Sequence, residues 1–254
     1  ILGHSNSEVN EAVKLQIDQG SIFTVNSPLE IELAELLVEH IPSAEMVKYT
    51  KGGGEACALA VRIARGVTGK DKVVFSGYHG WHDWYQAANY LVNPNDGEYP
   101  FSGIEPTGVP KVLAETALPF SYGNLEQLKF ILNDNKNEVA AVIMEPMRSD
   151  YPPQNYLSKV KEIAKENKAI LIFDEVITGF RISLGGAQEF FGVIPDISIY
   201  GKALGAGYPI GAIAGNEKIM NFLDPVSADE NRIFSIGSFH SNPISSTAAL
   251  MCIK

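Results

Sequence analysis

Along the chain, short apolar runs rich in β-branched residues alternate with longer stretches in which apolar positions recur every three or four residues. Runs of the first kind are typical of buried strands, whereas the second spacing indicates amphipathic helices. The pattern predicts strands at Glu45–Tyr49, Lys72–Ser76, Val139–Glu145, Ala169–Asp174, Ile197–Tyr200 and Ile210–Ala214. It predicts helices over Ser7–Gln19, Pro28–Glu39, Glu55–Gly66, Asn124–Asn133, Gln154–Asn167 and from about Asn242 onward.

Two of the predicted strands are apolar at nearly every position, namely Val139–Met144 and Ile170–Phe173. Such runs suit strands that helices cover on both faces, as in parallel sheets. We therefore predict an α/β fold, a three-layer α/β/α sandwich with a mostly parallel sheet. No repeat or linker-like stretch divides the chain, so residues 1–254 are expected to form one domain. Asn93–Pro110, which contains Gly, Pro and acidic residues, is predicted to be a long surface loop and is a candidate active-site flap.

Composition narrows the choice of partner and compartment. The chain is 45% hydrophobic with a net charge of −10, which argues against a nucleic-acid or anionic-membrane partner. No apolar run approaches the roughly 20 residues of a membrane-spanning helix, and no signal peptide is visible. Cys57 and Cys252 define neither a disulfide framework nor a metal site, so we expect a cytoplasmic protein. Because the chain starts at Ile1 and stops at Lys254 within a helix-like stretch, we expect a piece of a longer protein.

Two charged residues close neighbouring predicted strands. Asp174 ends one strand and Lys202 follows the next, so a parallel sheet would bring both to its carboxyl edge, where ligands of open α/β sheets bind. An acid and an amine there could hold opposite sides of a small aromatic cofactor, and pyridoxal 5′-phosphate (PLP) is the candidate. Taken singly, Lys202 could be an ordinary surface lysine and Asp174 half of a structural ion pair.

Unusual residues follow the other predicted strands as well. The segments are Thr50–Ala56, Gly77–Asp83, Glu145–Asp150, Asp174–Arg181 and Gly201–Gly211. The order and the amino-acid sequences of these segments resemble those of the class III, fold-type I PLP-dependent aminotransferases, most closely the branch of glutamate-1-semialdehyde aminomutase. The resemblance runs from Gly3 to Pro243 and implies the large PLP-binding domain of that family. The family also has a short N-terminal segment and a smaller C-terminal domain, which would lie outside this chain.

The resemblance implies roles for the residues that would surround the cofactor ring. Lys202 would form a Schiff base with PLP and later move a proton between substrate and cofactor. Asp174 would keep the pyridine nitrogen protonated. Val176 would lie on one face of the ring and Tyr78 on the other, with His79 close by.

Other residues would bind at the rim and at the phosphate. Glu145 is expected at the cofactor rim, and we assign no role to Trp81–Trp84. Most of the family carries hydroxyl residues in the phosphate loop, whereas this chain has glycines at 52 and 54. The phosphate would therefore rest on backbone N–H groups of Gly53 and Gly54 at a helix start. Ser238 would reach the phosphate of the other subunit, which implies a homodimer with shared active sites.

The leading hypothesis is PLP-dependent transamination, or intramolecular amino transfer, of a small amino compound. Ile177 and the shortened loop after Glu145 depart from many relatives, so the substrate stays open. The alternative is a non-catalytic aminotransferase-like assembly or regulatory subunit, motivated by Gly52 and Gly54. A nicotinamide enzyme is disfavoured, because the glycines lack the dinucleotide spacing.

Overall fold

The computed structural model describes residues 2–91, 104–226 and 232–254, and at their centre lies a seven-stranded sheet. The strands are β1 Met46–Thr50, β2 Lys72–Ser76, β3 Ala117–Pro119, β4 Val139–Met144, β5 Ile170–Asp174, β6 Ile197–Tyr200 and β7 Gly211–Gly215. They lie side by side in the order β1-β7-β6-β5-β4-β2-β3. The sheet therefore carries the strands that the apolar runs predict, plus one short edge strand.

Strand direction decides which loops meet. β3, β2, β4, β5 and β6 run parallel to one another, whereas β7 is antiparallel to both β6 and β1. The two reversals restore the direction of β1, so its carboxyl end lies at the same edge as those of β2, β4, β5 and β6. The mostly parallel sheet predicted from sequence is confirmed.

Helices follow most strands. They are α1 Ser7–Gln19, α2 Pro28–His40, α3 Gly53–Thr68, α4 Asp83–Gln86, α5 Leu125–Asp134, α6 Tyr156–Glu166, α7 Gly186–Phe191, α8 Glu217–Met220 and α9 Pro243–Ile253. Single 3₁₀ turns occur at Ala87–Tyr90, Lys111–Leu113, Lys202–Gly205 and Asn221–Leu223. No described helix is long and apolar enough to cross a membrane.

The sheet is covered on both faces, as the uninterrupted apolar runs predict. In β5, Ile172 packs on the side of α3, whereas the next residue, Phe173, packs on the side of α5 and α6. At the β6–β7 end of the sheet, α2 and α9 continue that second layer around Leu204 and Tyr200. The three-layer α/β/α sandwich is therefore confirmed.

The differences from the sequence prediction are short elements and element ends. β3 has three residues, one of them a proline, and α4, α7 and α8 are too brief to show a helical period. Helix α3 begins at Gly53, two residues before the predicted start, because the glycines themselves form its first turn. Most of the predicted loop Asn93–Pro110 lies outside the described residues.

A buried carboxylate fixes the loop that follows β5. Glu175 accepts hydrogen bonds from the backbone N–H groups of Ala187 (2.8 Å) and Gln188 (2.9 Å), and a third from the Thr178 hydroxyl. Burial raises the pKa of Glu175, and these donors oppose the rise. The side chain thus joins the end of β5 to the first turn of α7, and so holds the residue next to Asp174 in place.

We predict that Glu175→Ala lowers the free energy of unfolding by about 3 kcal/mol, because it leaves several buried donors without an acceptor. Urea denaturation followed by circular dichroism measures this change. Glu126→Ala, at an exposed ion pair with Lys129, is the control and should change the same quantity by less than about 0.5 kcal/mol. Equal effects of the two substitutions would contradict a structural role for Glu175.

Candidate active site

Glycines allow three loops to meet at the carboxyl edge of the sheet. A Cβ on Gly53 would lie 2.8 Å from Cγ2 of Val176, and a Cβ on Gly211 would lie 2.5 Å from Oγ1 of Thr50. A Cβ on Gly201 would lie 3.4 Å from the Gly53 backbone. The start of α3 and the loop after β5, and likewise the ends of β1 and β7, are therefore closer together than larger residues would permit, and the turn after β6 packs in ordinary contact with Gly53.

The Asp174 carboxylate lies inside this junction and is almost fully saturated with donors. Its Oδ2 atom is 2.8 Å from Nδ1 of His79 and 3.4 Å from the thiol of Cys57. Its Oδ1 atom accepts the backbone N–H of Val176 at 3.1 Å. Asp174, His79 and Cys57 are all buried, so the carboxylate is held in one orientation by side chains that themselves have little freedom.

Cys57, His79 and Asp174 also offer three metal-ligand atoms within 4.8 Å of one another. Burial, and next the Asp174 charge, raise the pKa of the Cys57 thiol well above its ordinary value. A protonated thiol donates a hydrogen bond, whereas a metal would require the thiolate. In this structure the thiol donates its hydrogen bond to Asp174.

Glu145 forms a second acidic position, after β4. Its Oε2 atom accepts the backbone N–H of Tyr78 at 3.3 Å and lies 3.8 Å from Nε of Arg148. Gly77 has φ of +117°, and a Cβ there would overlap the Glu145 carboxylate. Burial raises the pKa of Glu145, although the charge of His79 opposes the rise. Glu145 thus lies where the loops after β2 and β4 meet.

Lys202 has an unusual backbone conformation for a lysine. It has φ of +39°, in the left-handed region, and it opens the 3₁₀ turn directly after β6. Such a conformation costs free energy and is concentrated at functional sites. The side chain is exposed, and its charge acts on the buried Cys57 thiol from the same edge of the sheet. Tyr78 is 48% exposed beside this edge, so its ring is accessible to a ligand.

Among the described residues, no side chain caps the backbone N–H groups in the first turn of α3. The helix N-cap is Gly52, which has no side chain to cap the N–H groups of the first turn. Glu55, in that turn, instead accepts the backbone N–H of Lys51 at 2.7 Å. Unpaired N–H groups and the helix dipole together favour an anion, so Gly53 and Gly54 suit a phosphate.

All the predicted site residues except Ser238 lie at the carboxyl edge of the sheet. They are Lys202, Asp174, Val176, Tyr78, His79, Gly53, Gly54 and Glu145. Ser238 is exposed and lines a surface cavity with Phe23 and Asn242. Its segment still touches α3, because His240 Nε2 lies 2.9 Å from Glu55. Burial alone would raise the pKa of Glu55, but the Lys51 N–H and His240 hold it below its ordinary value.

The sequence also matches a family model: the class-III aminotransferase model covers residues 1–254. The chain belongs to the class-III aminotransferases. The family resemblance carried by the segments around Asp174 and Lys202 is therefore confirmed.

Curated relatives of this class-III aminotransferase share its sequence at moderate identity. It is 41% identical over 260 residues to glutamate-1-semialdehyde 2,1-aminomutase from Methanocaldococcus jannaschii, covering 100% of this chain and 59% of the relative. It is 38% identical over 260 residues to the enzyme of that name from Ignicoccus hospitalis, with the same coverage of 100% and 59%. The chain thus spans about three fifths of the length of these relatives.

Solved structures show the same fold. An omega-transaminase from Sphaerobacter thermophilus superposes with a TM-score of 0.89 at 31% identity, over 99% of this chain and 58% of that one. A transaminase with PLP bound gives a TM-score of 0.89 at 29% identity, over 99% and 59% of the two chains. A glutamate-1-semialdehyde aminomutase from Pseudomonas aeruginosa gives 0.84 at 23% identity, over 99% and 56%, which shows the fold alone.

Sequence reasoning missed two residues next to the predicted site, Cys57 and His82. Cys57 stands four residues after Gly53, so it lies on the same face of α3, one turn further along. That spacing was a usable signal for Cys57. His82 has no such signal, because its approach to Gly54 depends on how the loop after β2 folds back.

We predict that Gly80→Ala destabilises the fold by about 1–3 kcal/mol more than Gly69→Ala. Both glycines have positive φ, +93° and +67°, so both variants place an alanine at a positive φ. Only a Cβ at position 80 meets another backbone, 2.8 Å from Cα of Gly54, whereas position 69 is open. Urea denaturation measures both changes, and equal destabilisation would show that the loop can move away from α3.

Proposed function

We propose that the protein binds PLP at the carboxyl edge of the sheet and catalyses transamination, or intramolecular amino transfer, of a small amino compound. One observation carries the proposal: a buried Asp174, held by three donors, on the same edge as Lys202 in a left-handed conformation. The free N–H groups of Gly53 and Gly54 add a place for the phosphate. The family, and the PLP-bound transaminase of the same fold, support this choice of cofactor.

Each residue would have a separate task. PLP bound here would supply an electron sink that lets the carbon next to the substrate nitrogen release a proton. Asp174 would bind the protonated ring nitrogen, and His79, Cys57 and the Val176 N–H would hold its carboxyl group in one orientation. The Lys202 amine would bind the cofactor aldehyde and then, once the substrate amine displaces it, carry the proton at the reacting carbon.

The walls of the site would orient the ring. Val176, fixed against Gly53, would support one face, and the exposed ring of Tyr78 would cover the other. Glu145, with its raised pKa, would lie at the rim. Nothing in the comparisons favours the non-catalytic alternative, since the relatives are named as aminomutases and transaminases.

We propose that residues 1–254 form the large PLP-binding domain of a longer, cytoplasmic protein, in line with the 59% coverage of the relatives. The names of the relatives cover both aminomutase and omega-transaminase reactions, so the proposal includes both. Substrate choice then rests on the loops around Arg148 and Ile177, both exposed at this edge.

If Lys202 binds the cofactor, the purified protein reconstituted with PLP should be yellow, and Lys202→Ala should abolish its visible absorption band. Lys168→Ala is the matched control, because Lys168 is also an exposed lysine with positive φ, +52°. Absorbance spectra after gel filtration measure the difference. A panel of amino donors should then bleach the band of the wild type, and a colourless wild type would contradict the proposed function.

We also propose a homodimer in which Ser238 contacts the phosphate of the partner subunit. The support is its exposed position away from the residues around Asp174, together with the family resemblance. Sedimentation velocity should give the mass of two chains, and Ser238→Ala should weaken PLP binding about tenfold without dissociating the dimer. A monomer that binds PLP fully would refute the shared site.

A further inference from the structure

The loop after β2 folds directly onto the first turn of α3. Gly80 has φ of +93°, and a Cβ at this position would lie 2.8 Å from Cα of Gly54. The two backbones are therefore in contact, with no room for a side chain on Gly80. This contact carries the next residues of the loop to the open side of Gly54.

His82 lies in the space that a side chain at position 54 would face. A Cβ on Gly54 would stand 3.4 Å from Cε1 and 3.5 Å from Nδ1 of His82, which are ordinary van der Waals distances. The ring also stacks on Trp81, with centroids 4.8 Å apart. The edge of His82 that carries Nδ1 is thus held beside the helix start that we assign to the phosphate.

The Nδ1 atom of His82 is buried and has no hydrogen-bond partner among the described residues. Buried polar atoms are nearly always paired, and an unpaired one costs free energy. His240 lies across a cavity of about 260 Å³ shared with Glu55 and Arg62. Its Nε2 atom is paired with Glu55, whereas its Nδ1 atom, like that of His82, is buried without a partner among the described residues. The unpaired Nδ1 atom of His82 therefore lies next to the first turn of α3, whose backbone N–H groups no side chain caps within the described residues.

We propose that His82 binds the cofactor phosphate through Nδ1–H, in place of the hydroxyl side chain that position 54 lacks. The inference rests on the proposed function, because it needs PLP at this edge. It adds a phosphate ligand from the loop after β2, which also supplies Tyr78 and His79. Position 54 and His82 are neighbours, since the imidazole lies in van der Waals contact with the place that a Cβ at 54 would take.

The test compares PLP with pyridoxal, which has the same ring and aldehyde but no phosphate. Apo-protein of the wild type, His82→Phe and His82→Gln is titrated with each compound, and bound cofactor is followed by absorbance. We expect His82→Phe to weaken PLP binding about ten- to a hundredfold, the range of one hydrogen bond to a charged group, and to leave pyridoxal binding unchanged. His40→Gln, in the last turn of α2, is the control for loss of a histidine.

A second variant keeps the test valid if His82→Phe folds poorly. Gly54→Ser combined with His82→Ala returns a hydroxyl beside the helix start, where a Cβ at 54 meets only ordinary contacts. It should recover much of the PLP affinity that His82→Ala alone loses. Equal PLP affinity of wild type and His82→Phe, equal weakening for PLP and pyridoxal, or no recovery in the double variant would each overturn the inference. A wild type that binds neither compound would instead refute the proposed function.

Discussion

The structure depends on the close approach of main chains at one edge of the sheet. Gly53 at the start of α3 and Gly211 at the start of β7 each lie where a Cβ would press on a neighbour, and a Cβ on Gly201 after β6 would be in van der Waals contact with Gly53. The approach fixes the start of α3 against Val176, and Val176 in turn donates its N–H to Asp174. One steric constraint therefore determines both the position of the helix terminus and the orientation of the carboxylate.

The second consequence of this packing is electrostatic. Asp174 is removed from water, and a buried carboxylate is stable only with compensating donors. His79 and Cys57 supply them from the loop after β2 and from α3, so three elements must pack correctly for Asp174 to have its hydrogen-bond partners. The same burial raises the pKa of Glu145 nearby, so the edge holds two carboxyl groups with different surroundings.

Sequence reasoning predicted the sheet and the positions of Asp174 and Lys202, because strand ends and parallel direction together place such residues on one edge. The family resemblance placed His79 near the cofactor, and the structure adds that its Nδ1 atom lies 2.8 Å from Asp174. Sequence reasoning could not give the left-handed backbone of Lys202, which depends on the turn after β6. Nor could it predict that Cys57 lies next to Asp174 or that His82 lies next to Gly54, because both contacts depend on packing between separate elements.

The strand order has a consequence for folding. β1 leaves the ribosome early, yet its partner in the described sheet is β7, which is made about 160 residues later. Thr50 therefore gains its partner on β7, Gly211, only after residues 51–210 have been synthesised. A chain cut short before Gly211 would carry Lys202 but would lack β7, the strand that pairs with β1 next to the glycines at the start of α3.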